Sequence, residues 1–189
     1  MTANSDTVAR ILDGALLALA RRGVRKLSMS DVGAAAGISR GTLYRYFGNK
    51  EELLGAIAGH VRNGVRQQLI AAVERRPGLD ERVQVVVESI VQFAKTHPEA
   101  VQVIVLEPGF GVDFVRSVFP EFVAVVEQLL TPALELSPTV RSGAMTSGEL
   151  SELILRTAAS TYFIPTDDID EVPRAIAALP CLRTAKVTL

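Results

Sequence analysis

Gly41, Thr42, Tyr44 and Arg45 lie within five residues of one another in the stretch GISRGTLYRYFGNKEELL, residues 37–54. The side chains among them are of types suited to duplex recognition: arginine can pair with a guanine edge or a phosphate, and threonine suits phosphate or thymine. The tyrosine offers a phenol to the sugar–phosphate backbone. At about 100° per residue, these four share the outer side of a helix over Arg40–Phe47, and Leu43 and Phe47 share the inner side. Two members of the stretch are out of place. Glycine inside a helix costs about 1 kcal/mol relative to alanine, so Gly41 points to close approach of another surface or to a loosely formed first turn. Lys50 heads the next helix, where the macrodipole disfavours a cation by about 0.3–1 kcal/mol. A phosphate there would accept from the helix N–H groups and from Lys50 together; otherwise Glu51 and Glu52 simply neutralise a surface lysine.

The elements that must hold these residues are marked by local signals. Val8, Ile11, Leu12, Ala15, Leu16, Leu19 and Ala20 recur at helical spacing, and Gly23 closes that element. Ser28 and Asp31 have the spacing of a capping box for a second helix. Val32, Ala35 and Ala36 form its buried stripe, and Gly37 supplies a left-handed end. Ile38 and Ser39 make a minimal turn, with Ser39 capping the helix that carries Arg45. Asn49 caps a long helix, with Glu52 at its third position, running to the break at RRPG near Arg76. Two short helices joined by Gly-Ile-Ser form a helix-turn-helix pattern.

The stretch SMSDVGAAAGISRGTLYRYFGNKEELL, with the preceding ILDGALLALARRG, resembles the DNA-binding signature of the tetracycline-repressor (TetR) family of bacterial transcription regulators. The resemblance covers about the first 60 residues. It implies an all-α chain in which a recognition helix enters the major groove and a lysine heading the next helix binds phosphate. By position, Arg40, Gly41, Thr42, Tyr44, Arg45 and Tyr46 fall on the recognition helix and Lys50 on the phosphate site. Ser28 matches the usual cap, and Ser30 stands where many relatives carry a longer polar or basic side chain that reaches DNA. Arg10 and the arm Met1–Asp6 could add backbone contacts. The implied domains are residues 1–48, a connecting helix 49–76, and a helical effector-binding and dimerisation domain 77–189.

Charge agrees with that division. Residues 1–76 carry 12 Lys/Arg against 6 Asp/Glu, and residues 77–189 carry 8 against 15. A basic N-terminal third thus suits a polyanion, although the whole chain has a net charge of −1. Glu and Gln interrupt the later valine runs at helical positions, so the remainder also reads as helices, linked by a Phe-rich connector, PGFGVDFVRSVF. Gly109 and Gly111 would let that connector move at the mouth of a pocket. Phe93, Val103, Leu106, Phe110, Phe114, Phe122 and Tyr162 are candidates to line it, though such clusters also fill cores. Glu107, Asp113, Arg116 and Tyr162 are candidate polar contacts, and His60 and His97 read as surface or helix-end residues. A stripe of Leu150, Leu153, Ile154, Thr157, Ala158 and Thr161 is a candidate dimer surface, with packing inside the chain as its alternative.

No metal-ligand spacing, catalytic triad, phosphate loop or dinucleotide fingerprint is present in the sequence. No cofactor and no enzyme activity are therefore expected. The apolar runs are too short to span a membrane, no secretory signal is apparent, and a single cysteine suits a reducing cytoplasm. The expected protein is a cytoplasmic homodimer that binds a near-palindromic duplex operator and is released by a small apolar effector. The alternatives are a DNA-bound architectural or partner-binding regulator without an effector, or an activator.

Overall fold

The structure, a computed structural model, describes residues 2–164 and 166–182, with side chains from residue 5 onward. Among them every regular element is helical. The chain forms two compact units that do not follow its order: one holds the residues up to 64 together with 97–116, the other 65–96 and the residues from 117 on.

The first unit is built from α1 (Thr2–Lys26), α2 (Met29–Ala36), α3 (Arg40–Tyr46), the beginning of α4 (Lys50–Arg75), α6 (Pro98–Leu106) and the beginning of α7 (Pro108–Leu134). Ile11, Ala15, Leu19, Val32, Leu43, Leu53 and Val103 are buried in one cluster, which explains why 97–116 joins this unit. The continuous run of α1 closes at Gly23 as expected: with φ 72° and ψ 163° this residue is non-helical, and a short further turn across the kink runs to Lys26. The first residues of the chain from Thr2 on belong to α1 rather than to a free arm; Met1 and the side chains of 2–4 lie outside the described residues.

The second unit contains the remainder of α4, α5 (Arg82–Thr96), the remainder of α7, α8 (Pro138–Arg141), α9 (Ser147–Ser160), α10 (Glu171–Ala177) and a 3₁₀ turn, Pro180–Leu182. Helix α5 buries Val83, Val85, Val86, Val87, Ile90, Val91 and Phe93. Gln84 and Glu88 are half-buried and Gln92 and Lys95 exposed, so α5 is amphipathic with a broad apolar side turned into its unit, and burial there overrides the strand preference of so many valines. Buried Arg82 fixes its start, donating to the carbonyls of Leu129 (3.2 Å) and Pro77 (2.6 Å). Thr146 and Glu149 close a capping box at the start of α9. Their hydrogen bonds, backbone first, hold the Glu149 carboxyl below its usual range.

The expected Phe-rich connector is instead the first half of α7, which continues through Pro120 and Pro132. At Gly111 the glycine answers to packing. A Cβ there would sit 2.9 Å from Ile104 Cα, so its missing side chain lets α7 start hard against α6. Gly14 plays the same part between α1 and α2, where a Cβ would meet Ala36 N at 2.6 Å.

Replacing Gly14 by alanine should therefore destabilise the protein by about 1–3 kcal/mol through overpacking. Gly64→Ala, where the added methyl meets nothing within 4 Å, should stabilise α4 by about 0.5–1 kcal/mol. Denaturant melts of the two variants should move in opposite directions; movement in the same direction would contradict the close-approach account.

Candidate nucleic-acid interface

Helix α3 has only seven residues, too few to persist in isolation. Three local devices and one tertiary contact hold it. Gly37 takes φ 65°, its N–H donates to Ala34 O, and Ile38 N–H donates to Gly33 O at 3.0 Å, which ends α2 and turns the chain. Ser39 then caps α3 by accepting from Thr42 N at 3.1 Å. Behind the helix, Leu43 is fully buried and Phe47 is 7% exposed in the core of the first unit. The opposite side carries Arg40, Gly41, Tyr44 and Arg45, all exposed.

The cations on that side are arranged by aromatic rings. The Arg40 guanidinium lies over Tyr44 at 5.3 Å from the ring centroid, and that of Arg45 over Tyr46 at 5.2 Å. Such stacking orders long side chains while leaving the guanidinium edges able to donate. Tyr46 is half-buried and packs on the core, so it supports Arg45 from below. Thr42 is half-buried too, and its hydroxyl lies 2.9 Å from Ser39 Oγ. That hydroxyl is thus engaged by the cap. A Cβ at Gly41 would meet only Ser39 Oγ, at 4.0 Å, so no close approach among the described residues accounts for this glycine.

Ser28 caps α2 in the expected box, accepting from Asp31 N while its own N–H donates to the Asp31 carboxylate. The Ser28 hydroxyl also donates to that carboxylate. This bond and the backbone bond, with Arg22 nearby, hold the Asp31 carboxyl below its usual range. Ser30 is exposed on α2 with its hydroxyl outside that box.

Lys50 has a role the sequence did not disclose. Its ammonium donates to Val24 O, at the end of α1 just past the Gly23 kink. A cation disfavoured at the N-terminus of α4 is thus favoured at the C-terminus of α1. The same bond puts Lys50 beside the exposed Arg25 and Lys26, which follow Val24 directly. These two cations were missed because they read as an ordinary basic last turn; Lys50 bonding into that turn is what singles them out. Asn49 and Glu52 cap α4, with Glu52 N–H donating to Asn49 Oδ1 and Gly48 N–H to Glu52 Oε2, both at 2.8 Å.

The candidate pocket residues do not come together within one unit. Val103, Leu106, Phe110 and Phe114 belong to the first, and Phe93, Phe122 and Tyr162 to the second. Val103 and Phe93 are buried, Phe110 and Phe122 pack against their cores, and Leu106 is half exposed. Tyr162 donates to Ile90 O, and burial pushes its phenol above the usual range. Of the candidate dimer stripe, Leu150, Ile154 and Ala158 turn inward and are buried in the chain's own second core. Only Leu153, 51% exposed, and Thr157 face outward, with Thr161 half-buried. The inward positions recur three or four residues apart, which a sequence stripe cannot assign to one partner or another. Among the described residues no group of His, Cys, Asp and Glu could hold a metal, and no helix is long and apolar enough to cross a membrane.

Residues 11–57 match the model of the bacterial regulatory proteins of the tetR family. The chain is 30% identical to the HTH-type transcriptional regulator BetI of Agrobacterium fabrum over 91 residues, 48% of its own length. It spans 44% of the length of that relative. In fold it is similar to the transcriptional regulator FadR from Bacillus subtilis, solved in complex with stearoyl-CoA. There the TM-score is 0.69 at 17% identity, over 91% of this chain and 96% of the other. AibR, solved with isovaleryl coenzyme A and operator DNA, gives a TM-score of 0.64 at 17% identity, over 94% and 99%.

Two substitutions separate folding from recognition at this surface. Lys50→Ala should cost about 1 kcal/mol of stability through the lost bond to Val24 and lower the salt slope of duplex binding by about one. An unchanged slope would leave Lys50 a purely structural tie. Gly41→Ala should stabilise α3 by up to about 1 kcal/mol yet weaken duplex binding in fluorescence anisotropy. Tighter or equal binding would exclude close backbone approach.

Proposed function

Since this chain belongs, through residues 11–57, to the TetR family of bacterial regulatory proteins, we propose that it is a cytoplasmic transcriptional repressor. It binds DNA as a homodimer, and a small molecule releases it. The observation that carries the DNA-binding part is the outer side of α3: four exposed recognition residues on a helix whose inner side is fixed by Leu43. One such helix reads only a few base pairs. Two copies about 34–36 Å apart read a near-palindrome, so duplex recognition itself calls for two chains. Leu153 and Thr157 are the members of the α9 stripe left to meet a second copy.

The effector proposed first is an acyl-coenzyme A thioester, in keeping with the apolar effector expected from the aromatic residues. It is supported by the ligands of the two neighbours in fold, stearoyl-CoA for FadR and isovaleryl-CoA for AibR. A regulator that answers to a protein partner is the second reading. It is favoured by Phe93 and Val103 lying buried and by Tyr162 already donating to Ile90 O.

An operator selected from random duplexes should bind tightly and lose affinity steeply with salt. Tyr44→Ala should weaken it, and an unaltered affinity would refute the assignment of α3. Stearoyl-CoA or isovaleryl-CoA should lower operator affinity about 5- to 150-fold, the usual range of coupling between two sites. No change with either thioester would sink that effector class and leave the partner-binding reading in its place.

A further inference from the structure

Within the second unit, the end of α4, the outer side of α5 and the start of α10 enclose an open groove of about 620 Å³. None of the residues expected to line an effector pocket borders it. Its size falls within the range of small-molecule sites.

The charges on its walls are not equivalent. Arg76 is held between Glu81 and Glu88, and Glu88 also accepts from Gln84 at 2.7 Å. The two carboxylates raise the Arg76 guanidinium above its ordinary value, so that group and its acids are mutually satisfied. Asp170, the other acid on the groove, is paired with Lys95. Two cations remain. Arg75 uses only its Nε, which donates to Ala71 O at 3.1 Å, and Arg174 has no partner among the described residues. Both are exposed and both line the groove.

The lining carries a second anomaly. Ser89 is 7% exposed, and its hydroxyl has no hydrogen-bond partner among the described residues. A buried hydroxyl left without a bond costs stability unless something outside the chain completes it. Gln68, also on the groove, donates to Ser89 O at 3.0 Å and fixes the backbone there. Ala72, Val85 and Pro173 supply the apolar part of the lining.

We propose that this groove is a binding site for an organic oxyanion. Arg75 and Arg174 take the phosphate or carboxylate group, the Ser89 hydroxyl adds a hydrogen bond, and the organic body lies on Ala72 and Pro173. Two guanidiniums with no acid of their own favour an anion over a cation or a neutral ligand, because charge-assisted bonds are the stronger ones. The site is separate from the DNA-binding side of α3 and does not depend on the acyl-thioester reading.

Calorimetric titration of the full chain with inorganic pyrophosphate and, separately, with citrate tests this, with sodium chloride at matched ionic strength as the control. At least one anion should bind where chloride does not; pyrophosphate alone assigns a phosphate ligand and citrate alone a carboxylate. Arg75→Gln with Arg174→Gln should weaken that binding about tenfold or more, the loss expected for charge-assisted hydrogen bonds. Ser89→Ala, which removes no internal bond, should leave the melting temperature the same or higher and still weaken the anion. Arg45→Gln should leave anion binding intact while lowering operator affinity. No binding beyond chloride would overturn the proposal. So would binding that survives the double substitution and disappears with Arg45→Gln, since the anion would then be held by the DNA-binding side.

Discussion

Everything on the outer side of α3 depends on the burial of Leu43. A helix of seven residues has no stability of its own, and its propensity is lowered further by Gly41. Leu43 carries it into the same core as Ile11, Leu19, Val32 and Leu53, and the turn at Gly37 and the cap at Ser39 set its angle. With one side fixed so completely, no residue on the other side has to contribute to folding. That freedom lets Arg40, Tyr44 and Arg45 be chosen for what they present outward. The Lys50 bond to Val24 O extends the same logic to the start of α4, tying the last turn of α1 to the helix that follows recognition.

Whether a polar group is available in this protein is decided by its immediate partners, not by its type. Arg76 and Arg82 are fixed by neighbouring carboxylates and carbonyls, whereas Arg75, next in sequence to the first of them, keeps its terminal nitrogens open. Thr42 and Ser28 sit in a surface built for hydrogen bonding, but their hydroxyls are engaged by Ser39 and Asp31. Tyr162 looks in the sequence like a polar contact for a ligand and in the fold is a buried bond to Ile90. Contacts to a partner must come from the groups that remain.

What could be read from the sequence was what is local. The Ser28–Asp31 box, the left-handed Gly37, the Ser39 cap and the Asn49–Glu52 start of α4 each depend on neighbours within a few residues, and each is present. Which side of α3 is left exposed followed from the same periodicity. Features that needed distant residues did not show. Gly111 resembles a hinge until Ile104 is seen against it, and the Phe-rich connector resembles a loop until its aromatics are packed along α7. The stripe on α9 announced burial, but periodicity does not say whose surface covers Leu150, Ile154 and Ala158. Nor could it say that Val103 lies in one core with Ile11, so the division of the chain into compact units was out of reach.

That shared core makes the helix-turn-helix unit discontinuous in sequence. Residues 97–116 complete a unit that begins at the N-terminus, with Val103 in its core and Gly111 fitted against α6. A fragment ending near residue 64 would therefore lack part of its own interior, and its helix-turn-helix would be born with an open flank. During synthesis the same holds: the head of the chain must wait for α6 to emerge before its core can close. The helix-turn-helix is in this sense not a portable cassette, and a graft onto another protein would have to carry both pieces of the chain.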